Sequence, residues 1–157
     1  MPAQPSARTS PSALARGAAW LMAALAAAAL AKHALRLRMV VRLVRSGVLD
    51  VWPWRVPWPW VAGTSALVLL IGLPWLLAFV SGAAWARREA GRLGGLYFLG
   101  TLLERLFWTP TRPDGGQMLF AAWLTAAEMG LWLALARLAA SGRPATSLVP
   151  HRSKEAS

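Results

Sequence analysis

The feature that most constrains this chain is the uncharged run from Val56 to Ala86. A bilayer hydrocarbon core is about 30 Å thick, and an α-helix needs about 20 predominantly apolar residues to cross it. The run is long enough for one crossing, and other apolar stretches flank it on both sides. The sequence therefore predicts an all-α fold, a polytopic integral membrane helical bundle with about four transmembrane helices.

Composition supports a membrane location. Hydrophobic residues make up 57% of the 157 positions, whereas soluble domains contain roughly 45–50%. Seventeen Lys and Arg against six Asp and Glu give a net charge of +11. The basic residues lie between the apolar segments, where the positive-inside rule and anionic headgroups account for them. We therefore expect membrane lipids as partners, no nucleic acid, and a place in a bacterial inner membrane, since the chain is rich in Ala, Arg and Trp.

Residue types and motifs narrow the possible chemistry. The chain has no cysteine, so disulfides, thiolate catalysis and cysteine-ligated clusters are excluded. It contains no G-x-S-x-G, H-E-x-x-H or phosphate-loop motif. The two histidines, His33 and His151, are expected in neutral surface positions rather than as metal or haem ligands. The sequence predicts no catalytic site, no metal and no cofactor.

Four apolar segments are expected to span the membrane, between a disordered tail at 1–12 and a polar tail at 139–157. The third is uncertain because Glu104 and Arg105 lie near its end, so a re-entrant or interfacial helix stays open. The predicted spans are 13–31, 61–84, 93–110 and 117–137.

The first apolar segment has two interpretations. Ala29-Leu30-Ala31 resembles the cleavage site of a signal peptide. The basic residues that follow, beginning at Lys32, resist translocation and favour an uncleaved helix whose following loop is cytoplasmic. This orientation would put both termini outside.

The segment 32–46 is basic and amphipathic. Arg38, Arg42 and Arg45 recur at i, i+4 and i+7, which places them on one face of a helix. We expect them to contact anionic lipid headgroups from a helix lying in the interface. The alternative is that the segment continues the first helix.

Tryptophans and prolines alternate before the second span. Trp52, Trp54, Trp58 and Trp60 are expected to form an aromatic belt at headgroup depth. A proline-rich aromatic strip is also typical of a surface that docks a partner.

Glu128 is the strongest candidate for chemistry, because it lies in the middle of the fourth apolar segment. An ionisable residue at this depth is costly and should face a bundle interior or a cavity. Arg105 is its expected partner, and Glu104 should contact a different one because adjacent residues on a helix point in different directions. Glu128 could serve a proton-coupled process, or it could form a purely structural contact between helices.

Three stretches, Leu96-Tyr97-Phe98-Leu99-Gly100, Phe107-Trp108-Thr109-Pro110-Thr111 and Leu119-Phe120-Ala121, are similar to the closing region of integral-membrane methyltransferases of the isoprenylcysteine carboxyl methyltransferase-like superfamily. The family's His-Pro is replaced by Leu93-Gly94-Gly95, and its paired glutamates have no counterpart near Leu135–Leu138. The resemblance implies a membrane methyltransferase relative that lacks the catalytic groups.

These observations lead to three functional hypotheses. The first is a small accessory or assembly subunit of a membrane complex, or a homo-oligomer. The second is a proton-coupled small transporter that uses Glu128. The third is the non-catalytic methyltransferase relative implied by the resemblance.

Overall fold

The computed structural model describes residues 13–47, 56–107 and 113–141, which form four α-helices and no β-strand. The helices are α1 (Ala13–Ser46), α2 (Trp58–Val80), α3 (Ala84–Phe107) and α4 (Gly115–Ser141). The prediction of an all-α helical bundle is confirmed. The predicted tails lie outside the described residues, except for 139–141, which belong to α4.

Successive helices run antiparallel. Between α1 and α2, Leu30 lies beside Gly72 and His33 lies beside Ser65. Residue numbers increase along α1 while they decrease along α2, so the two helices are antiparallel. α1 packs along both α2 and α4, and α4 packs along α3, whereas α2 and α3 have little contact with each other. The bundle therefore resembles a U, with α1 and α4 at its base and α2 and α3 as its arms.

Three of the four helices, α1, α2 and α4, are long and apolar enough to cross a membrane. The longest, α1, has 34 residues and measures about 51 Å at 1.5 Å per residue. α3 does not meet this criterion, since its longest stretch without charged residues is confined between Arg92 and Glu104. The third predicted span, which the sequence left uncertain, thus corresponds to the helix that is not apolar enough to meet the criterion.

The predicted boundary between a first span at 13–31 and a separate segment at 32–46 is absent. α1 continues through this point without a break, so the alternative of one continuous helix describes the structure. The physical reason is that the stretch between Gly17 and Gly47 contains no glycine or proline and is rich in Ala, Leu and Arg, all strong helix formers. Gly47 then has φ +70°, a conformation that ends the helix.

α3 begins at Ala84, nine positions before the predicted start of the third span. The basic residues between the predicted second and third spans, Arg87, Arg88 and Arg92, therefore occupy the first turns of α3. α2 ends at Val80, and Gly82 with φ +85° reverses the chain within three residues. The amide of Ala83 donates to the carbonyl of Ala78 across 2.9 Å, which satisfies an open carbonyl at the end of α2.

Two tryptophans join α3 to its neighbours. The indole Nε1 of Trp75 donates to the carbonyl of Ala86 across 2.9 Å, and that of Trp132 donates to the carbonyl of Ala90 across 2.8 Å. Both indoles are at least 93% buried, and their ring centroids lie 6.1 Å apart. An indole buries a large apolar area while its N–H needs an acceptor, so each ring fixes the position of α3.

Gly94 allows this packing. A Cβ built at this position would collide with the indole of Trp132, whereas one built at the adjacent Gly95 would meet nothing within 4 Å. The close approach of α3 and α4 therefore depends on the missing side chain at one position only.

We predict that Gly94→Ala lowers the free energy of unfolding by about 1–3 kcal/mol, because the methyl group displaces the Trp132 ring. The matched control, Gly95→Ala, should leave stability unchanged or raise it by up to about 1 kcal/mol, since alanine is the better helix former. Thermal unfolding midpoints in one mild detergent test this. Equal midpoints for the two variants would contradict the packing described.

Candidate functional site

Charged and polar side chains from all four helices meet at one level of the bundle. We call this set the polar layer. It joins α1 to α2 and α3, and α3 to α4, through contacts between side chains. Its members are Lys32, His33, Arg36, Ser65, Tyr97, Glu104, Arg105, Thr125 and Glu128.

Glu104 is the acceptor on the α1 side of the layer. Its Oε2 accepts a hydrogen bond from Arg36 Nη1 at 2.6 Å and another from Lys32 Nζ at 3.1 Å. The Glu104 side chain is only 14% exposed, so most of its hydration is lost. Charge-assisted hydrogen bonds from two cations offset that loss and connect α3 to α1.

Arg105 faces the opposite way and binds α4. Its Nη1 and Nη2 donate to the two carboxylate oxygens of Glu128 at 2.9 and 2.8 Å. Nη1 also lies 2.8 Å from Oγ1 of the buried Thr125, which itself donates to the carbonyl of Ala121. The planar guanidinium matches the carboxylate in a two-pronged geometry, and this geometry restricts the orientation of α4 relative to α3.

These contacts agree with two expectations from the sequence. Arg105 pairs with Glu128, and the neighbouring Glu104 reaches a different helix. Successive helical residues are about 100° apart around the axis, so two adjacent charges can serve two separate helices. A transport role for Glu128 stays a prediction.

The expected surface position of His33 is wrong. Its side chain is 1% exposed, and Nδ1 lies 3.3 Å from Oγ of Ser65 on α2. Nε2 lies 3.9 Å from Oε1 of Glu104 and has no hydrogen-bond partner among the described residues. The ring also meets the ring of Tyr97 edge-on, with 6.0 Å between centroids.

Sequence reasoning missed His33, Lys32 and Arg36 as parts of the site because it ended the first span at Ala31. The available signal was their spacing. On a continuous α1 these residues lie within four positions of each other, so together they form one basic and polar surface. Acidic residues at Glu104 and Glu128, within otherwise apolar segments, are the complementary charges.

The predicted interfacial residues lie outside the layer. Arg38, Arg42 and Arg45 are exposed on the last turns of α1, and Trp60 at the start of α2 is 67% exposed. Trp58 is half-buried, while Trp52 and Trp54 lie outside the described residues. Contact of these side chains with lipid stays a prediction.

A cavity of about 650 Å³ extends from the polar layer between the four helices. Lys32, Arg105 and Glu128 line its charged end. The rest of the wall is mostly apolar and includes Ile71 and Leu131. A volume in the range of roughly 300–1,000 Å³, with few polar groups at one end, is typical of small-molecule sites.

Within the described ranges, no three His, Asp or Glu side chains form a group that could hold a metal ion. Comparison with known proteins found no matching family, no matching curated protein and no matching solved structure. The resemblance to membrane methyltransferases therefore stays a prediction. Of its residues, Leu96, Tyr97 and Phe98 line the cavity, and Trp108-Thr109-Pro110-Thr111 lies outside the described residues.

We predict that Glu128→Gln or Arg105→Gln lowers the free energy of unfolding by about 1.5–3 kcal/mol, because each leaves a partly buried charge without its partner. The exchange Arg105→Glu with Glu128→Arg should recover part of that loss. Unfolding midpoints in detergent report the effect.

A matched control is available on the surface. Nη1 of Arg92 lies 3.3 Å from Oε2 of Glu89 on one face of α3, and the arginine side chain is 82% exposed. Glu89→Gln should change stability by less than about 1 kcal/mol, since water screens exposed ion pairs. A Glu89 variant as unstable as the Glu128 variant would show that the layer has no special structural role.

Proposed function

We propose that the protein is a multi-pass protein of a bacterial inner membrane and a non-enzymatic accessory or assembly subunit of a membrane complex. The observation that carries this proposal is the polar layer. Both of its acids are bound to cations of a different helix, Glu104 to Lys32 and Arg36, and Glu128 to Arg105. Ion pairs between helices hold the helices together, and they support a structural role for the charged residues within the apolar segments.

The length and composition of α2 support this membrane position. Its 23 residues, Trp58–Val80, contain no charge and extend about 34 Å, close to the thickness of a bilayer core. Ser65 lies seven residues from the Trp58 end, so the polar layer sits about 10 Å inside the hydrocarbon boundary. Charged groups at that depth need partners within the protein, because lipid chains provide none.

The same placement accounts for charges outside the layer. Arg38, Arg42 and Arg45 continue along α1 from the layer toward the first loop, where they reach headgroup depth. Arg16 and Arg87 lie near the opposite end of the bundle, beside the turn that joins α2 to α3. Density of basic residues near the first loop favours a cytoplasmic position for that loop.

The surface of α4 supports an accessory role. Leu119, Phe120 and Trp123 are 73%, 60% and 65% exposed, and the two aromatic rings stack with centroids 6.4 Å apart. A rigid aromatic patch of this kind suits the helix of a partner subunit, since aromatic side chains lose little entropy on binding. The experiment is affinity purification in mild detergent of the wild type and of Phe120→Ala/Trp123→Ala. The expected result is one membrane protein at a fixed ratio with the wild type and its loss with the variant.

Single-cysteine labelling tests the topology, because the chain has no native cysteine. Ser46→Cys and Gly115→Cys should react on one side of the membrane, and Ser81→Cys and Ser141→Cys on the other. A membrane-impermeant maleimide, applied to intact and to permeabilised cells, distinguishes the sides. Reaction of Ser81→Cys and Gly115→Cys on the same side would contradict a crossing by α3.

Proton-coupled transport is the second candidate, favoured by the exposure of Glu128 and Arg105 to the cavity. A carboxylate at the end of an apolar cavity can exchange its arginine partner for a proton during a transport cycle. In that case Glu128→Gln abolishes pH-coupled flux in vesicles while the protein stays inserted. The Arg105→Glu/Glu128→Arg exchange would then recover part of the stability but none of the flux, whereas an accessory subunit should recover part of its stability together with its partner.

A further inference from the structure

The cavity is bounded by all four helices but opens sideways. α1 and α4 form its base, and the weakly contacting α2 and α3 form its two arms. Most residues that face it from the arms are apolar, and Ile71 and Leu96 are 50% and 67% exposed. In the membrane position proposed above, this opening faces lipid rather than water. A molecule that binds in the cavity therefore enters from the bilayer and must be largely apolar.

The charged end has a net positive charge. Lys32 and Arg105 line it together with a single acid, Glu128. Both oxygens of that acid are occupied by Arg105, so the ammonium of Lys32 is not neutralised from inside the cavity. Lys32 Nζ contacts Glu104 outside the cavity at 3.1 Å and shares it with Arg36. An ammonium carries three N–H donors, and its side chain is 37% exposed.

The two ends of the cavity lie along the helix axes. On α3 the lining extends from Leu93 to Arg105, a rise of about 18 Å. The charged end lies toward the first loop, on the side of Arg38 and Arg42, and the apolar end extends past the middle of α2 to Trp75. A lipid of that leaflet has the same polarity, and its phosphate reaches the polar layer when the lipid is drawn about 10 Å below the hydrocarbon boundary.

We infer that the cavity binds one anionic phospholipid, with its phosphate against Lys32 and Arg105 and an acyl chain along the apolar wall. Basic pockets between membrane helices bind anionic headgroups through this combination of ammonium and guanidinium donors. Zwitterionic lipids add a cationic group next to the net positive end and are disfavoured. The inference rests on the membrane location proposed above and is independent of the accessory role.

The test is native mass spectrometry of the detergent-solubilised full chain, titrated with phosphatidylglycerol or with phosphatidylcholine. We expect one tightly held phosphatidylglycerol and roughly tenfold weaker retention of phosphatidylcholine. Lys32→Gln should lose this preference, and Lys32→Arg should keep it because the charge remains. Equal retention of the two lipids by the wild type would overturn the inference.

Filling the cavity with a larger side chain provides a second, independent test of lipid binding. Ala28 lines the cavity and the adjacent Ala27 does not, so Ala28→Phe and Ala27→Phe form a matched pair. Ala28→Phe should bind phosphatidylglycerol roughly tenfold more weakly, and Ala27→Phe should bind it like the wild type. If Ala28→Phe does not fold, Leu131→Trp on α4 replaces it, since Leu131 also lines the cavity and is 56% exposed.

Three further outcomes separate the sources of failure. Displacement of phosphatidylglycerol by equimolar oleate would assign the charged end to a carboxylate and overturn the phosphate assignment. A protein that fractionates with membranes yet holds no anionic lipid would refute the inference alone. Recovery of the protein in the soluble fraction would refute the proposed location as well.

Discussion

The arrangement of this bundle depends on two adjacent residues of α3 that bind in opposite directions. Glu104 accepts hydrogen bonds from Lys32 and Arg36 on α1. Arg105 donates two hydrogen bonds to the carboxylate of Glu128 on α4. In an apolar medium an unpaired charge costs several kcal/mol, so both contacts must form together. This requirement sets the rotation and the axial position of α3, which is the least apolar of the four helices.

The cavity is a consequence of the same contacts. α3 is held by α1 through Glu104 and by α4 through Arg105, the Trp132 indole and the space at Gly94. Among the residues that the structure describes, no comparable set joins α3 to α2 beyond the turn, where the Trp75 indole donates to the carbonyl of Ala86. The arms of the U therefore separate beside the polar layer, and the separation leaves an apolar space with a cationic end. One set of ion pairs thus supports both the structural role and the lipid site that we propose.

Helix content was predictable, and helix boundaries were less so. The apolar runs of α2 and α4 predict the helices at nearly their observed positions, because length and hydropathy suffice for a buried or lipid-facing helix. α3 extends nine residues earlier than predicted, through Arg87 and Arg92, and α1 continues past Lys32. Charge was interpreted as a boundary in both cases, although arginine and lysine are good helix formers and end a helix only when the surroundings demand it.

By itself the sequence determined the helical character, the presence of segments apolar enough to cross a membrane, and the cost of Glu128 within one of them. Those conclusions depend on composition, period and local charge, which are properties of one segment at a time. Only the tertiary structure decided that His33 is buried against Ser65, that Glu104 binds α1, and that Lys32 and Arg105 face one cavity. Each of these depends on the rotation of one helix against another, and contacts between residues distant in sequence set that rotation.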